Sequence, residues 1–156
     1  MQSAEDILTQ IRFAYVGAYP IAGMAEPWLP KMTQTLSLLR QAGIGVIVTL
    51  TEESPYSRHY REAGFHHLHS PIDDTRAPSP EQMDHILAFI DGHMDAGRAA
   101  AVHCLEGRGR TGTVLAAWLG RREPGSAEQV IRTLRLLRPV TVITPEQKRF
   151  LQGYLA

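Results

Sequence analysis

The sequence predicts an α/β fold of three layers, a central, mostly parallel sheet of about four to five strands flanked by helices. Three observations lead there. Apolar runs of strand length alternate along the chain with segments of helical periodicity. The run Ile44, Val46, Ile47, Val48, Leu50 is apolar on both faces, as a strand covered on both sides of a parallel sheet has to be. Three later helices open with the same signal, a hydroxyl residue followed three positions on by glutamine: Ser79 and Gln82, Ser126 and Gln129, Thr144 and Gln147. The 156 residues predict a single domain over residues 1–156, long enough to bury a core of its own.

Taken in order, residues 1–10 predict a short, frayed segment. Phe13 to Gly17 read as a first strand, and Pro20, Gly23, Pro27 and Pro30 punctuate the turn that follows. Residues 31–41 are helical, with Met32, Leu36 and Leu39 on one side, and Gly43 closes the helix as a C-cap does. The strand at residues 44–50 then puts Thr51, Glu52, Glu53 and Ser54 at the carboxyl edge of the sheet. Residues 55–63 form a short helix and residues 65–70 a third strand. The Ser79 cap starts a helix to about Ala96, with Met83, Ile86, Leu87, Ile90 and Met94 on one stripe. Residues 99–102 are a short buried strand, and residues 113–122 have helical composition. The Ser126 cap starts a helix to Arg138 that buries Val130, Ile131, Leu134 and Leu137, and the Thr144 cap starts the last one. Pro80 and Pro145 occupy first helical positions, where a missing N–H costs nothing.

Between the strand at 99–102 and the helix at 113–122 lie His103, Cys104, Leu105, Glu106, Gly107, Arg108, Gly109, Arg110, Thr111 and Gly112, which include the only cysteine of the chain. A loop from a strand into a helix start leaves backbone N–H groups unpaired, and together with the helix dipole they suit a phosphate. That field favours a thiolate, so Cys104 is the candidate nucleophile. Arg110 offers a planar fork of donors that grips two oxygens of one phosphoryl group. Gly107 and Gly109 let the loop turn its N–H groups inward without Cβ interference, and Thr111 is placed to cap the helix.

Other chemistries fit less well. His103 beside a cysteine suggests a protease pair, but adjacent strand residues point to opposite faces, so its ring cannot reach the sulfur as a base. Gly107, Gly109 and Gly112 have dinucleotide-loop spacing, yet that fold places the turn in its first βα unit and needs a later strand ending in an acid. His59, His66, His67 and His69 have no cysteine or carboxylate at a ligand spacing, so no metal is expected.

Cys104, five residues, Arg110 and Thr111, with His103 in front, resembles the signature of the cysteine-dependent protein tyrosine phosphatase superfamily. The form His-Cys-x-x-Gly-x-Gly-Arg-Thr-Gly resembles that of its small atypical dual-specificity branch. The resemblance runs from Phe13 to Tyr154, with softer matches at Thr49-Leu50-Thr51-Glu52 and at Arg138-Pro139 before the Thr144 cap. It implies a protein tyrosine phosphatase-like fold and hydrolysis of phosphotyrosine, with phosphoserine and phosphothreonine as further candidates. It also implies that Cys104 attacks phosphorus in line to give a cysteinyl-phosphate. The backbone N–H groups of Leu105, Glu106, Gly107, Arg108, Gly109 and Arg110 would hold the equatorial oxygens. Thr111 would bond the departing thiolate, and His103 would order the loop through hydrogen bonds. Residues 70–78 resemble the family's acid loop, in which an Asp lies four residues before a proline that leads into a helix. That spacing picks Asp74 as the acid that protonates the leaving oxygen and later activates water, with Asp73 as the alternative.

Leu105, Glu106 and Arg108 form the variable floor and rim of such a pocket. Lipid phosphatases of the superfamily place lysines in this loop, whereas here Leu105 replaces one and Glu106 adds a repelling charge. Phosphotyrosine is therefore favoured over a phosphoinositide or other small phosphate ester. A phosphopeptide-binding module without turnover would need the cysteine, arginine or acid to be missing, and none is. Sixteen basic residues balance sixteen acidic ones, which leaves no global field for nucleic acid or anionic membrane. A single cysteine excludes an internal disulfide, and no apolar run approaches a membrane span. The expectation is a cytoplasmic monomer without metal or organic cofactor, whose partner is a phosphorylated protein or peptide substrate. Arg121, Arg122, Arg132, Arg135 and Arg138 read as the solvated face of two helices.

Overall fold

The computed structural model describes residues 3–156, so Met1 and Gln2, at the start of the segment expected to fray, lie outside the described residues. From Ser3 onward that segment is ordered. Helix α1 (Ala4–Gln10) has a capping box: Ser3 Oγ accepts from the Asp6 N–H at 3.1 Å, and Asp6 Oδ2 accepts from the Ser3 N–H at 3.3 Å. There follow β1 (Ala14–Tyr15), β2 (Ile21–Met24), a 3-10 turn (Leu29–Lys31), α2 (Met32–Gln41), β3 (Ile44–Thr49), α3 (Ser57–Glu62) and β4 (His66–His69). The chain continues with α4 (Pro80–Asp95), β5 (Ala99–His103), α5 (Gly109–Arg122), α6 (Ala127–Leu137) and α7 (Pro145–Tyr154).

The sheet has five strands in the order β1-β2-β5-β3-β4, all parallel except β1, which runs antiparallel to β2. Its pleat feeds two cores. Val46, Val48 and Val102 face one that α4, α5, α6 and α7 complete with Met83, Val114, Leu134 and Leu151. Ile47 and Ala101 face the other, where Met32, Leu36, Leu39 and Tyr60 pack from α2 and α3. The three-layer α/β fold with a mostly parallel sheet is thus present. Among the described residues no helix is long and apolar enough to cross a membrane.

Three local expectations are corrected. The stretch from Ile21 to Met24, which holds Gly23, is not a turn but β2, all four of whose residues are buried between β1 and β5. Gly23 is there because nothing larger fits: a Cβ would lie 2.8 Å from Cζ and Nε of Arg138. Helix α5 begins at Gly109 rather than residue 113, and eleven of its fourteen residues are buried, with α4, α6 and α7 packed around it. Leu137 and Arg138 exchange roles. Pro139 disfavours helical geometry at Arg138, so α6 stops at Leu137, Arg138 turns to an extended φ of −141°, and its side chain leaves the helix period. Leu137 is left partly exposed and Arg138 is fully buried, not solvated.

The register decides where the chemistry lies. Met24 and Thr49 both pair with His103, and Thr49 also pairs with His69. Four parallel strands therefore end level with one another, and the segments leaving them converge: Ala25 and Glu26, Leu50 to Glu52, Ser70 to Asp74, and Cys104.

Candidate active site

Residues 104–108 carry the chain from β5 to the first turn of α5. Gly107 sits at φ +72°, and a Cβ there would lie 2.6 Å from Ala25 N and Met24 C, so the loop is packed against the end of β2. Three successive loop carbonyls are taken by donors outside the loop. The Glu26 N–H donates to Leu105 O at 3.1 Å, Arg12 Nη1 to Glu106 O at 3.3 Å, and Arg138 Nη1 to Gly107 O at 2.6 Å. Because a trans peptide sets C=O and N–H in opposite directions, a loop held by its carbonyls turns its N–H groups the other way, at the head of α5.

Cys104 is buried, and the Thr111 hydroxyl donates to its sulfur at 3.1 Å. Arg110 is only 3% exposed. Its Nη1 donates to Glu52 Oε1 at 2.5 Å and to Ile72 O at 2.9 Å, while Nη2 lies 3.5 Å from Asp74 Oδ1. Its Nε is buried and without a hydrogen-bond partner among the described residues. Protein groups thus hold Nη1 firmly and Nη2 only through the long contact to the exposed Asp74, which leaves Nε, one end of the edge that matches two oxygens of a phosphate, without a partner. The carboxyl of Glu52 is held below its ordinary range by its own backbone N–H and then by the bond from Arg110.

A cleft of about 310 Å³ opens over Arg110, walled by Glu26, Glu52, Glu53, Asp74 and Leu105. Asp74 lines it and Asp73 does not. Burial raises the carboxyl of Glu26 above its usual range, and nearby Arg110 only partly offsets this. The segment carrying Asp74 is tied down from both sides. Gln82 Nε2 donates to Ser70 Oγ and Pro71 O at 3.0 and 2.8 Å, so this glutamine anchors the loop, and Ser79 caps α4 without the reciprocal half of a box. From α7, Thr144 Oγ1 donates to Thr75 O at 2.9 Å and the buried Gln147 to Arg76 O at 3.2 Å.

His103 is fully buried on the α3 side of the sheet, with Tyr60 against it. Its Nδ1 lies 3.1 Å from Cys104 O, which can only accept, so Nδ1 carries the proton. Nε2 of the neutral ring then accepts from the Thr49 hydroxyl at 2.8 Å, and that oxygen accepts in turn from His67 Nε2 at 2.8 Å. Burial lowers the pKa of His103 to about 4, and burial followed by the charge of Arg61 does the same for His67.

Of the loop residues expected to face the substrate, only Leu105 and Arg110 line the cleft. Arg108 donates to Val140 O at 3.3 Å, and Glu106 turns to Arg12 at 3.7 Å. Glu52 held a readable position, an acid at the carboxyl end of the strand beside the loop. No pattern in the sequence signalled Glu26, and for the inward turn of Arg138 the one signal was Pro139, which bars Arg138 from the helix.

The geometry defines a class: an α/β domain whose central strand runs into a loop that begins with a cysteine and ends at a buried helix whose first turn carries an arginine. Residues 22–123 match the family model described as polymorphic toxin system, DSP-PTPase phosphatase. The chain belongs to this DSP-PTPase phosphatase family. It is 40% identical over 88 residues to an uncharacterized protein of Methanocaldococcus jannaschii, covering 56% of this chain and 58% of that one. It is 32% identical over 108 residues to the tyrosine-protein phosphatase cdc-14 of Caenorhabditis elegans, covering 69% of this chain but only 15% of that one. The chain therefore spans less than two thirds of either relative. The crystal structure of Tk-PTP in the active form superposes with a TM-score of 0.80 at 30% identity, covering 92% of this chain and 95% of that chain.

Proposed function

We propose that this protein is a phosphomonoester hydrolase that removes phosphate from phosphotyrosine in protein or peptide substrates, through a cysteinyl-phosphate on Cys104. The observation that carries the reading is the buried Arg110, whose Nε has no hydrogen-bond partner among the described residues and whose side chain lines the cleft together with Leu105 of the loop that holds Cys104. A phosphate seated there receives two bonds from Nε and Nη2 and further bonds from the N–H groups of the loop. The Cys104 thiolate attacks phosphorus, the S–P bond forms as the P–O bond breaks, and Asp74 gives its proton to the departing oxygen. In the second step Asp74 takes a proton from water, the water oxygen attacks phosphorus, and the thiolate leaves while accepting the bond from Thr111. His103 is neutral and faces α3, so its part is to hold the Cys104 carbonyl.

The test is hydrolysis of an aryl phosphate, phosphotyrosyl and phosphoseryl peptides and a phosphoinositide by the wild type and by Cys104→Ser. Hydrolysis of the aryl and phosphotyrosyl substrates by the wild type, and of none by Cys104→Ser, is the expected result. A wild type inert toward the whole panel ends the enzyme reading, and activity that survives Cys104→Ser ends the covalent mechanism.

A further inference from the structure

The cleft carries more negative charge than a phosphate site calls for. Four carboxylates, Glu26, Glu52, Glu53 and Asp74, wall a space to which the described residues bring one basic side chain, Arg110. Two of the four are accounted for: Glu52 bonds Arg110 Nη1, and Asp74 stands beside Nη2. Glu26 and Glu53 have no ion pair among the described residues. The nearby bases do not cancel them. Arg12 faces Glu106, Arg76 faces Glu146, and Arg108 is bonded to Val140 O. Placing a phosphate dianion against two free carboxylates costs affinity unless the substrate brings cations of its own.

The mouth is also apolar on one side. Leu105 is 55% exposed where it lines the cleft, and Pro55 adds a second apolar side chain to the same lining. An acidic wall next to an apolar ledge suits a polypeptide laid across the opening better than a small polyanion.

We propose that the substrate is a phosphotyrosyl polypeptide with lysine or arginine beside the phosphorylated residue, whose cations are taken by Glu26 and Glu53. The inference rests on reading the cleft as a phosphatase site, and it adds the flanking charge that the site selects. Burial raises the Glu26 pKa, and a cation arriving with the substrate is what favours its charged form.

The experiment measures kcat/KM on phosphotyrosyl peptides identical except for flanking arginine, alanine or aspartate, at low and at high salt, with an aryl phosphate and phosphoethanolamine alongside. The wild type is compared with Glu26→Gln/Glu53→Gln and with Glu53→Gln alone. The expected order is arginine, alanine, aspartate, with about a tenfold span at low salt that shrinks at high salt. The span contracts toward parity in the double variant. Parity or an acidic preference in the wild type overturns the proposal, as does a span that the carboxylate substitutions leave unchanged. Phosphoethanolamine hydrolysed ahead of every peptide overturns the polypeptide part. Should the double variant not fold, Glu53→Gln and the salt dependence of the wild type decide. Aryl phosphate turnover without a charge preference defeats this inference alone, whereas absence of all turnover defeats the phosphatase reading itself.

Discussion

The Thr111 hydroxyl donates to the Cys104 sulfur across 3.1 Å, with both side chains closed off from solvent. A hydrogen bond to a charged partner contributes about 1.5–3 kcal/mol. In the proposed cycle the sulfur is most in need of it when it leaves phosphorus. Thr111→Val, which keeps the shape and removes the donor, is expected to slow breakdown of the cysteinyl-phosphate by roughly 10- to 100-fold. Thr111→Ser should keep most of the rate. Rapid-quench kinetics read this as a burst that becomes larger relative to the steady state. A slower burst with unchanged breakdown would assign Thr111 to the first step instead.

The second pair is Arg110 and Glu52. Two effects of Glu52 on phosphate oppose each other: it holds one corner of the guanidinium in place, and its charge repels the ligand. Glu52 is about half exposed, so solvent screens the repulsion, while the 3% exposed Arg110 would lose the carboxylate that holds its Nη1. Positioning should win. Glu52→Ala is expected to weaken inhibition by inorganic phosphate by about three- to tenfold, and Glu52→Gln, which keeps an acceptor, by less. Tighter phosphate inhibition in Glu52→Ala would show that the repulsion dominates.

The linked rings of His103 and His67 predict an acid limit of stability. Both have folded pKa values of about 4 against an ordinary 6.5. A group with a lowered folded pKa stabilises the fold fully above its unfolded pKa and loses that contribution as pH falls through the folded one. The window is therefore pH 6.5 to 4. For the fully buried His103 the shift of 6.5 − 4 = 2.5 corresponds to about 3 kcal/mol. His67 is partly exposed and contributes less. Denaturant midpoints measured across this window should fall in the wild type and fall less in His103→Gln, which cannot titrate. Equal slopes would remove His103 from the acid transition.

Where the chain states its structure locally, the sequence was enough to read it. The Ser79, Ser126 and Thr144 caps needed only neighbouring residues, and so did the apolar run of β3. β2 failed the same reading because Gly23 serves a contact with Arg138, a residue more than a hundred positions away, and not a turn. Arg138 failed because its direction depends on where α6 stops, which Pro139 decides. In the site, Cys104 and Arg110 were legible because a helix-start loop imposes its own spacing. Glu26 was not, since only the parallel pairing of β2 with β5 brings it beside that loop. The same limit applied to Glu106 and Arg108, whose turn away from the cleft depends on Arg12 and Val140.

The choice between Asp73 and Asp74 is the last case of this kind, because consecutive loop residues face different ways for reasons their spacing does not carry. Thr75 adopts φ +68°, unusual for a residue with a side chain, and its N–H donates to Asp74 Oδ1 at 2.9 Å. That turn leaves Asp74 71% exposed at the mouth, with the same oxygen 3.5 Å from Arg110 Nη2, while Asp73 lies off the cleft. A general acid matters in proportion to how poorly the leaving group departs unaided. Asp74→Asn is therefore expected to slow an alkyl phosphate or a phosphotyrosyl peptide by about 100-fold or more, and p-nitrophenyl phosphate far less. It should also remove the basic limb of the pH–rate profile on the alkyl substrate, the limb an essential acid creates. Asp73→Asn should change neither. A larger loss in Asp73→Asn, or losses in Asp74→Asn that ignore the leaving group, would move the acid away from Asp74, and the half-buried Glu26, whose carboxyl burial raises above its usual range, would be the next of the cleft's carboxyls to test.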